Sequence, residues 1–286
     1  MSESEQIKSP QSSYNSPDAI GYYVYCVAES IPAEEMAGDA RPGAIEDGAD
    51  LELIKTDKLT AIVSKVPLSI YGESALSEKL LDAAWTAIRA MRHEHVVEHF
   101  ARQTSVVPLR FGTIYLNRSG VEQMLSDKQE QLIPTIQRLK DRVEWGVNMF
   151  CDRATLLDNI TNVSPRLREM AEAAKSAPPG QSYLLQKKIE ASRTDETKAA
   201  VARAADEIES TLKGESDGSV KLRILKVETT EHGELKAKFA FLVKRSGFEE
   251  FRDAAERLAQ ENQAAGVRIE LTGPWPVYNF VQDLQD

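Results

Sequence analysis

Three residues stand at a spacing that can do metal chemistry: His95, Glu98 and His99 make the pattern H-x-x-E-H. In the inverted zinc-protease motif two histidines one helical turn apart hold Zn²⁺ and the glutamate activates water. The motif lies in a stretch expected to be helical over residues 77–101, where side chains four apart share a face. The same stretch sets Leu81, Trp85 and Ile88 on one narrow stripe with both histidines, the stripe expected to pack against a sheet. A third ligand is also needed. Glu169 or Glu172 would serve, but an acidic chain supplies a glutamate in almost any helix. Boundary or core histidines are therefore the preferred account, with no metal, and a zinc-dependent hydrolase built on His95, Glu98 and His99 is the alternative.

The remaining catalytic inventory is poor. The sequence has no Walker-type phosphate loop, no G-x-G-x-x-G after a strand, no G-x-S-x-G elbow and no C-x-x-C. Paired carboxylates abound, but none sits in an apolar context that would raise its pKa. No catalytic residue and no cofactor are expected. Two other stretches are more distinctive. Arg110 and Phe111 lie in the apolar run Val106–Thr113, where a guanidinium reaches either a sheet edge or a carboxylate at a domain junction. Residues 273–281 carry Pro274 and Pro276 with Trp275, Tyr278 and Phe280, an extended aromatic tail that must bury its rings. The tail is expected either to staple two domains together, with Arg110 as a candidate neighbour, or to dock another protein.

These groups need a scaffold, and 286 residues suffice for two domains. Acidic side chains outnumber basic ones 45 to 35, a net charge of −10 that argues against a nucleic-acid backbone or an anionic membrane as partner. No apolar run is long enough to span a bilayer. Residues 1–20 read as a disordered tail without the apolar core of a signal peptide. Cys26 and Cys151 fit buried, reduced thiols of a cytosolic protein.

The expected class is α+β. A strand at 21–28, apolar on both faces, is followed by a loop over 29–50 and a hairpin turning at Thr56–Lys58. Then come the 77–101 helix, an edge or bulged strand containing Pro108, and a helix over 121–139. This gives a mixed β-β-β-α-β domain over 21–140. Residues 141–286 read β-α-β-β-α-β, a modified ferredoxin-like domain. Its strands are 143–149, 220–229, 235–243 and 267–271, the middle two joined by the Glu231-His232-Gly233 turn. Its first crossover is swollen by a helical region over 153–213, broken at Ala177–Gly180, with residues 164–213 as the insertion.

VVPLRFGTIY after a helix, PPGQSYLLQKK opening a long helix, FAFLVKR, and the terminal LTGPWPVYNFV occur here in order. Together these motifs resemble the gas vesicle protein F/L family, over about Gly21 to Val281. The final motif departs from the family pattern only at Val277, where a second proline is more common. The resemblance implies two domains, one of them ferredoxin-like, and a non-enzymatic accessory or minor structural protein of gas vesicles in the cytoplasm. It implies as partners the hydrophobic main shell protein, whose aggregation it would limit and whose nucleation it would assist, and other accessory proteins. A small-ligand-sensing ferredoxin-like module remains a further alternative.

Overall fold

The computed structural model describes residues 19–30, 42–224, 229–230 and 233–281. Residues 1–18 of the expected N-terminal tail, residues 31–41 of the expected 29–50 loop and the Glu231-His232 part of the expected turn lie outside the described residues, and Ile20, expected in the tail, opens the first strand. The chain divides into two compact units: residues up to Asp141 together with those from Pro276 onward, and Arg142–Trp275. The residues from Pro276 onward, which the sequence assigns to the second domain, therefore belong with the first.

The first unit begins with β1 (Ile20–Glu29), β2 (Leu51–Lys55) and β3 (Leu59–Pro67). Three helices follow: α1 (Leu68–Tyr71), α2 (Glu73–Lys79) and α3 (Ala83–Gln103). Next are β4 (Val106–Pro108), β5 (Ile114–Tyr115), α4 (Arg118–Asp127) and α5 (Gln129–Arg138). The antiparallel sheet runs β2-β3-β1-β4, with β5 also paired to β1. β1 is buried on both faces through its middle, as its unbroken apolar and aromatic run requires. Pro108 has no N–H to donate, and β4 accordingly stands at the sheet edge.

The helix over 77–101 starts later than expected. Asp82 caps α3, its carboxylate accepting from the N–H groups of Ala84 and Trp85 at 3.0 and 3.1 Å. The buried stripe of α3 is His93, Val96, Val97 and Phe100, whereas Leu81 is 86% exposed and Ile88 is exposed too. Trp85, Ile88, His95 and His99 do share one face of α3, but the buried face lies about a third of a turn round, where Val96, Val97 and Phe100 carry the apolar surface. His95 is exposed and His99 half-buried as a result. The helix expected over 121–139 is two, meeting at Lys128, and the first is capped by Asn117.

The second unit opens with β6 (Arg142–Cys151), followed by α6 (Arg153–Val163), α7 (Pro165–Ser176) and α8 (Pro179–Gly214). It continues with β7 (Gly218–Lys221), β8 (Thr229–Thr230), β9 (Gly233–Lys244), α9 (Phe248–Asn262) and β10 (Val267–Trp275). The antiparallel sheet runs β10-β6-β9-β7, with β8 on β9. Leu235, Ala237, Phe239, Phe241 and Val243 are all buried, the last four packing against Ile208 and Leu212 of α8 and Phe251 and Leu258 of α9.

Three expectations need correction here. The helical region breaks at Ser164 as well as at Ala177–Pro178, because Ser164 caps α7 and Pro165 takes its first turn. Of the strand expected over 220–229, β7 ends at Lys221, residues 222–224 are not strand, residues 225–228 lie outside the described residues, and β8 begins at Thr229. The last strand does not stop at Leu271: after a register shift across Gly273 and Pro274, Trp275 still pairs with Glu144. Among the described residues no helix is long and apolar enough to cross a membrane.

Candidate functional site

Alternation along β1 points Tyr23 and Tyr25 to one face, where α3 lays His93 between them and the C-terminal segment. His93 Nδ1 lies 2.9 Å from the Tyr23 hydroxyl, and Nε2 lies 3.1 Å from the Tyr278 hydroxyl. The Tyr23 hydroxyl accepts from the N–H of Gly112 at 3.1 Å. Gly112 has φ +86°, a turn conformation that a side chain would strain. Tyr278 also hydrogen-bonds the Glu94 carboxylate. One proton arrangement satisfies every one of these atoms. Gly112 N–H donates to Tyr23, Tyr23 O–H to Nδ1, Nε2–H to Tyr278, and Tyr278 O–H to Glu94.

That arrangement needs a neutral imidazole. Burial lowers the His93 pKa from 6.5 to about 4, opposed by the Leu109 carbonyl. Burial likewise raises the tyrosines: Tyr25 to about 12, and Tyr23 and Tyr278 well above their ordinary value. Glu94 is pushed up by the same cause, with Tyr278 working against it. Tyr25 stacks on His93 with ring centroids 5.7 Å apart; its hydroxyl accepts from Ile45 N–H and meets Ser64 Oγ, both at 2.8 Å.

The segment around Ile45 is tied to α3 by two arginines. Arg89 forks onto Glu46 at 3.0 and 3.1 Å while its guanidinium lies 4.6 Å over the Trp85 ring. Arg92 donates to the Ile45 carbonyl and to Asp47. The Tyr71 hydroxyl donates to Glu46 at 2.6 Å. Each polar group named here has a partner, and burial keeps the Tyr23, Tyr25, Tyr71 and Tyr278 hydroxyls neutral. The centre holds strands, helix and C-terminal segment in place, and it presents no activated nucleophile.

The residues singled out from the sequence separate. Phe111 and Tyr278 meet at His93, with ring centroids 5.9 and 6.3 Å from the imidazole. Arg110 is exposed in the turn between β4 and β5, its carbonyl accepting from Thr113 N–H and Oγ1. The guanidinium on a tail carbonyl is that of Arg138, which donates to the Phe280 carbonyl at 2.8 Å. Trp275 is 47% exposed, its indole N–H donating to Thr272 Oγ1. In the H-x-x-E-H pattern, Glu98 pairs with Arg102 and the His99 ring meets the Gln103 amide. Glu172 pairs with Lys175. Among the described residues no cluster of three or more His, Cys, Asp and Glu is placed to hold a metal ion.

The model of the family described as gas vesicle synthesis protein GvpL/GvpF matches residues 21–282. The chain belongs to this family. It is 26% identical over 272 residues to gas vesicle protein L of Streptomyces sp. (strain CB03234), covering 90% of this chain and 91% of that one. It is 27% identical over 274 residues to gas vesicle protein F of the same strain, covering 91% and 99%. Its fold is similar to the crystal structure of GvpF from Anabaena sp. PCC7120, with a TM-score of 0.61 at 20% identity over 92% of this chain and 96% of that one. GvpF from Microcystis aeruginosa gives 0.59 at 19% over 92% and 99%.

The sequence reading of this GvpL/GvpF family member passed over His93, which sits two residues before the attractive motif. Its signal was available: His93, Val96, Val97 and Phe100 follow the i, i+3, i+4, i+7 pattern of a buried face.

Proposed function

We propose that the protein is a non-enzymatic accessory protein of gas vesicle assembly. In this reading it binds the apolar main shell protein, limits its aggregation and assists vesicle nucleation in the cytoplasm beside other accessory proteins. The observation that carries the reading is the family match across residues 21–282. A shell subunit with an apolar face must be covered until it polymerises, because exposed strands seed uncontrolled edge pairing. A carrier with net charge −10 keeps the complex dispersed. The Arg142–Trp275 unit, with strand order β10-β6-β9-β7, fits an elaborated ferredoxin-like domain in which α6, α7 and α8 fill the first crossover.

The surface best suited to the shell contact lies at the start of α3. Leu80, Leu81, Ile88 and Met91 are exposed, and Leu81 and Met91 stand 86% and 72% open. Arg89 and Arg92 on the same helix are turned to Glu46 and Asp47. Glu78, Lys79 and Asp82 flank Leu80 and Leu81, but four exposed apolar side chains so close together still complement an apolar partner. Phe111, Tyr278 and Phe280 then organise the unit that presents these side chains.

Co-expression of the full chain with the shell protein tests the reading. The wild type should co-purify with the shell protein and hold it in the soluble fraction. The variant Leu81→Glu/Met91→Glu should fold and lose that capacity. Equal aggregation of the shell protein with and without the wild-type chain would refute it. Stoichiometric zinc in the purified protein, lost in His99→Ala, would favour the hydrolase instead.

A further inference from the structure

We infer that the second unit carries a binding site for a small organic anion with a short apolar body, in the cavity where β6, α6, α8 and β9 meet. The cavity measures about 290 Å³, close to the lower bound for ligand pockets. Three elements line it with basic residues: Arg153 from α6, Lys198 from α8 and Lys236 from β9. Its apolar side is Leu157, one turn from Arg153, with Val201 and the Cys151 thiol. On α8 the residues Thr194, Thr197, Lys198 and Val201 fall at i, i+3, i+4 and i+7, one continuous face that changes from hydroxyl to ammonium to methyl.

The charge here runs against the chain as a whole. Acidic side chains outnumber basic ones 45 to 35 overall, yet three residues lining this cavity are basic and none is acidic. Arg153 makes no ion pair among the described residues. Lys198 is only loosely engaged, 4.0 Å from Asp195 with both side chains more than three-quarters exposed. Lys236 pairs with the part-exposed Glu234 at 2.6 Å. The exposed Lys198–Asp195 pair contributes little and exchanges readily for a better-placed anion.

A carboxylate or phosphate head would take the two lysines and Arg153, with the Thr194 hydroxyl as a further donor. A short alkyl or aryl body would lie on Leu157 and Val201. The site is separate from the α3 strip and does not depend on the shell-binding reading.

Hexanoate, with 1-hexanol and acetate as controls, tests the site by calorimetric titration of the full chain. Hexanoate should bind saturably, and each control should bind at least about tenfold more weakly, since a charge-assisted contact and a buried chain each exceed the free energy of one decade. Arg153→Gln/Lys198→Gln should keep the unliganded melting temperature, because both side chains are exposed, and weaken hexanoate by about tenfold or more. Raising the salt concentration should weaken wild-type binding more than binding by the variant, which keeps only Lys236. No saturable binding, equal binding by 1-hexanol, or equal affinity in the double variant would each overturn the inference.

Discussion

At the scale of single residues, His93 decides how the first unit answers to acid. The imidazole is buried between two phenols, and its pKa in the folded chain is about 4 against an ordinary 6.5. As pH falls, the unfolded chain takes the proton first. Its contribution to stability is therefore complete above about pH 6.5, declines between there and about pH 4, and is level below, a loss on the order of 3 kcal/mol. His93→Gln keeps a donor and an acceptor but cannot titrate. Urea unfolding at pH 7.5, 5.5 and 4 should show a smaller decline in the variant, and parallel declines would disprove the assignment. Tyr278→Phe leaves His93 Nε2 and Glu94 without their shared hydroxyl and should cost about 1–3 kcal/mol. The importance of His93 was hard to see because each partner is remote in sequence. Tyr23 is 70 residues away and Tyr278 is 185, and no local spacing encodes either contact.

At the scale of elements, what was legible depended on whether a local rule governed the element. Leu235–Val243 alternates strictly, and its expected face is the buried one, because period two leaves little freedom of phase. Helix α3 was located but its phase was not, because α3 carries two apolar stripes, Trp85 and Ile88 with the histidines and Val96, Val97 and Phe100, and periodicity alone does not say which one the sheet covers. The break at Ser164 obeyed a rule that was readable, a capping serine followed by proline. The Ser164 hydroxyl also donates to the buried Glu196 at 2.8 Å, while Arg166 holds the other carboxylate oxygen at 3.0 Å. These contacts hold the Glu196 carboxyl below its usual range. Ser164→Ala should cost about 1 kcal/mol or more as cap and hydroxyl are lost together. Ser164→Asp restores the cap but faces Glu196 with a like charge. It should be the worse variant at pH 7 in chemical denaturation, and a better one would show that capping alone matters.

At the scale of the whole molecule, the second unit is inserted into the first. The chain leaves the first unit after Asp141 and re-enters it at Pro276. Trp275 pairs with Glu144 on the neighbouring strand, so entry and exit lie side by side on the β6–β10 edge. An insertion of this kind needs no remodelling of its host, which is why such sites accept whole domains. Reading the chain in order cannot reveal this, since it assigns a tail to the strand it follows. The tail's anchors instead lie in the first unit: the Tyr278 hydroxyl on His93, the Phe280 carbonyl on Arg138, and the buried Val277 and Val281. The two units should therefore respond differently to excision. Residues 142–275 hold the whole β10-β6-β9-β7 sheet with α8 and α9 across its core, and should fold alone with a cooperative melt. The first unit cut off at Asp141 loses the partner of His93 Nε2 and two buried valines, each worth about 1.5–3 kcal/mol. That comes to a large share of a typical domain's stability. It should melt well below the same unit in the full chain, and a synthetic peptide of residues 276–286 added in trans should raise its melting temperature as concentration increases. The same peptide with Tyr278→Phe should raise it less. If the truncated unit is as stable as the parent, or the two peptides act alike, the C-terminal segment is a passive end and not a component of the first unit's core.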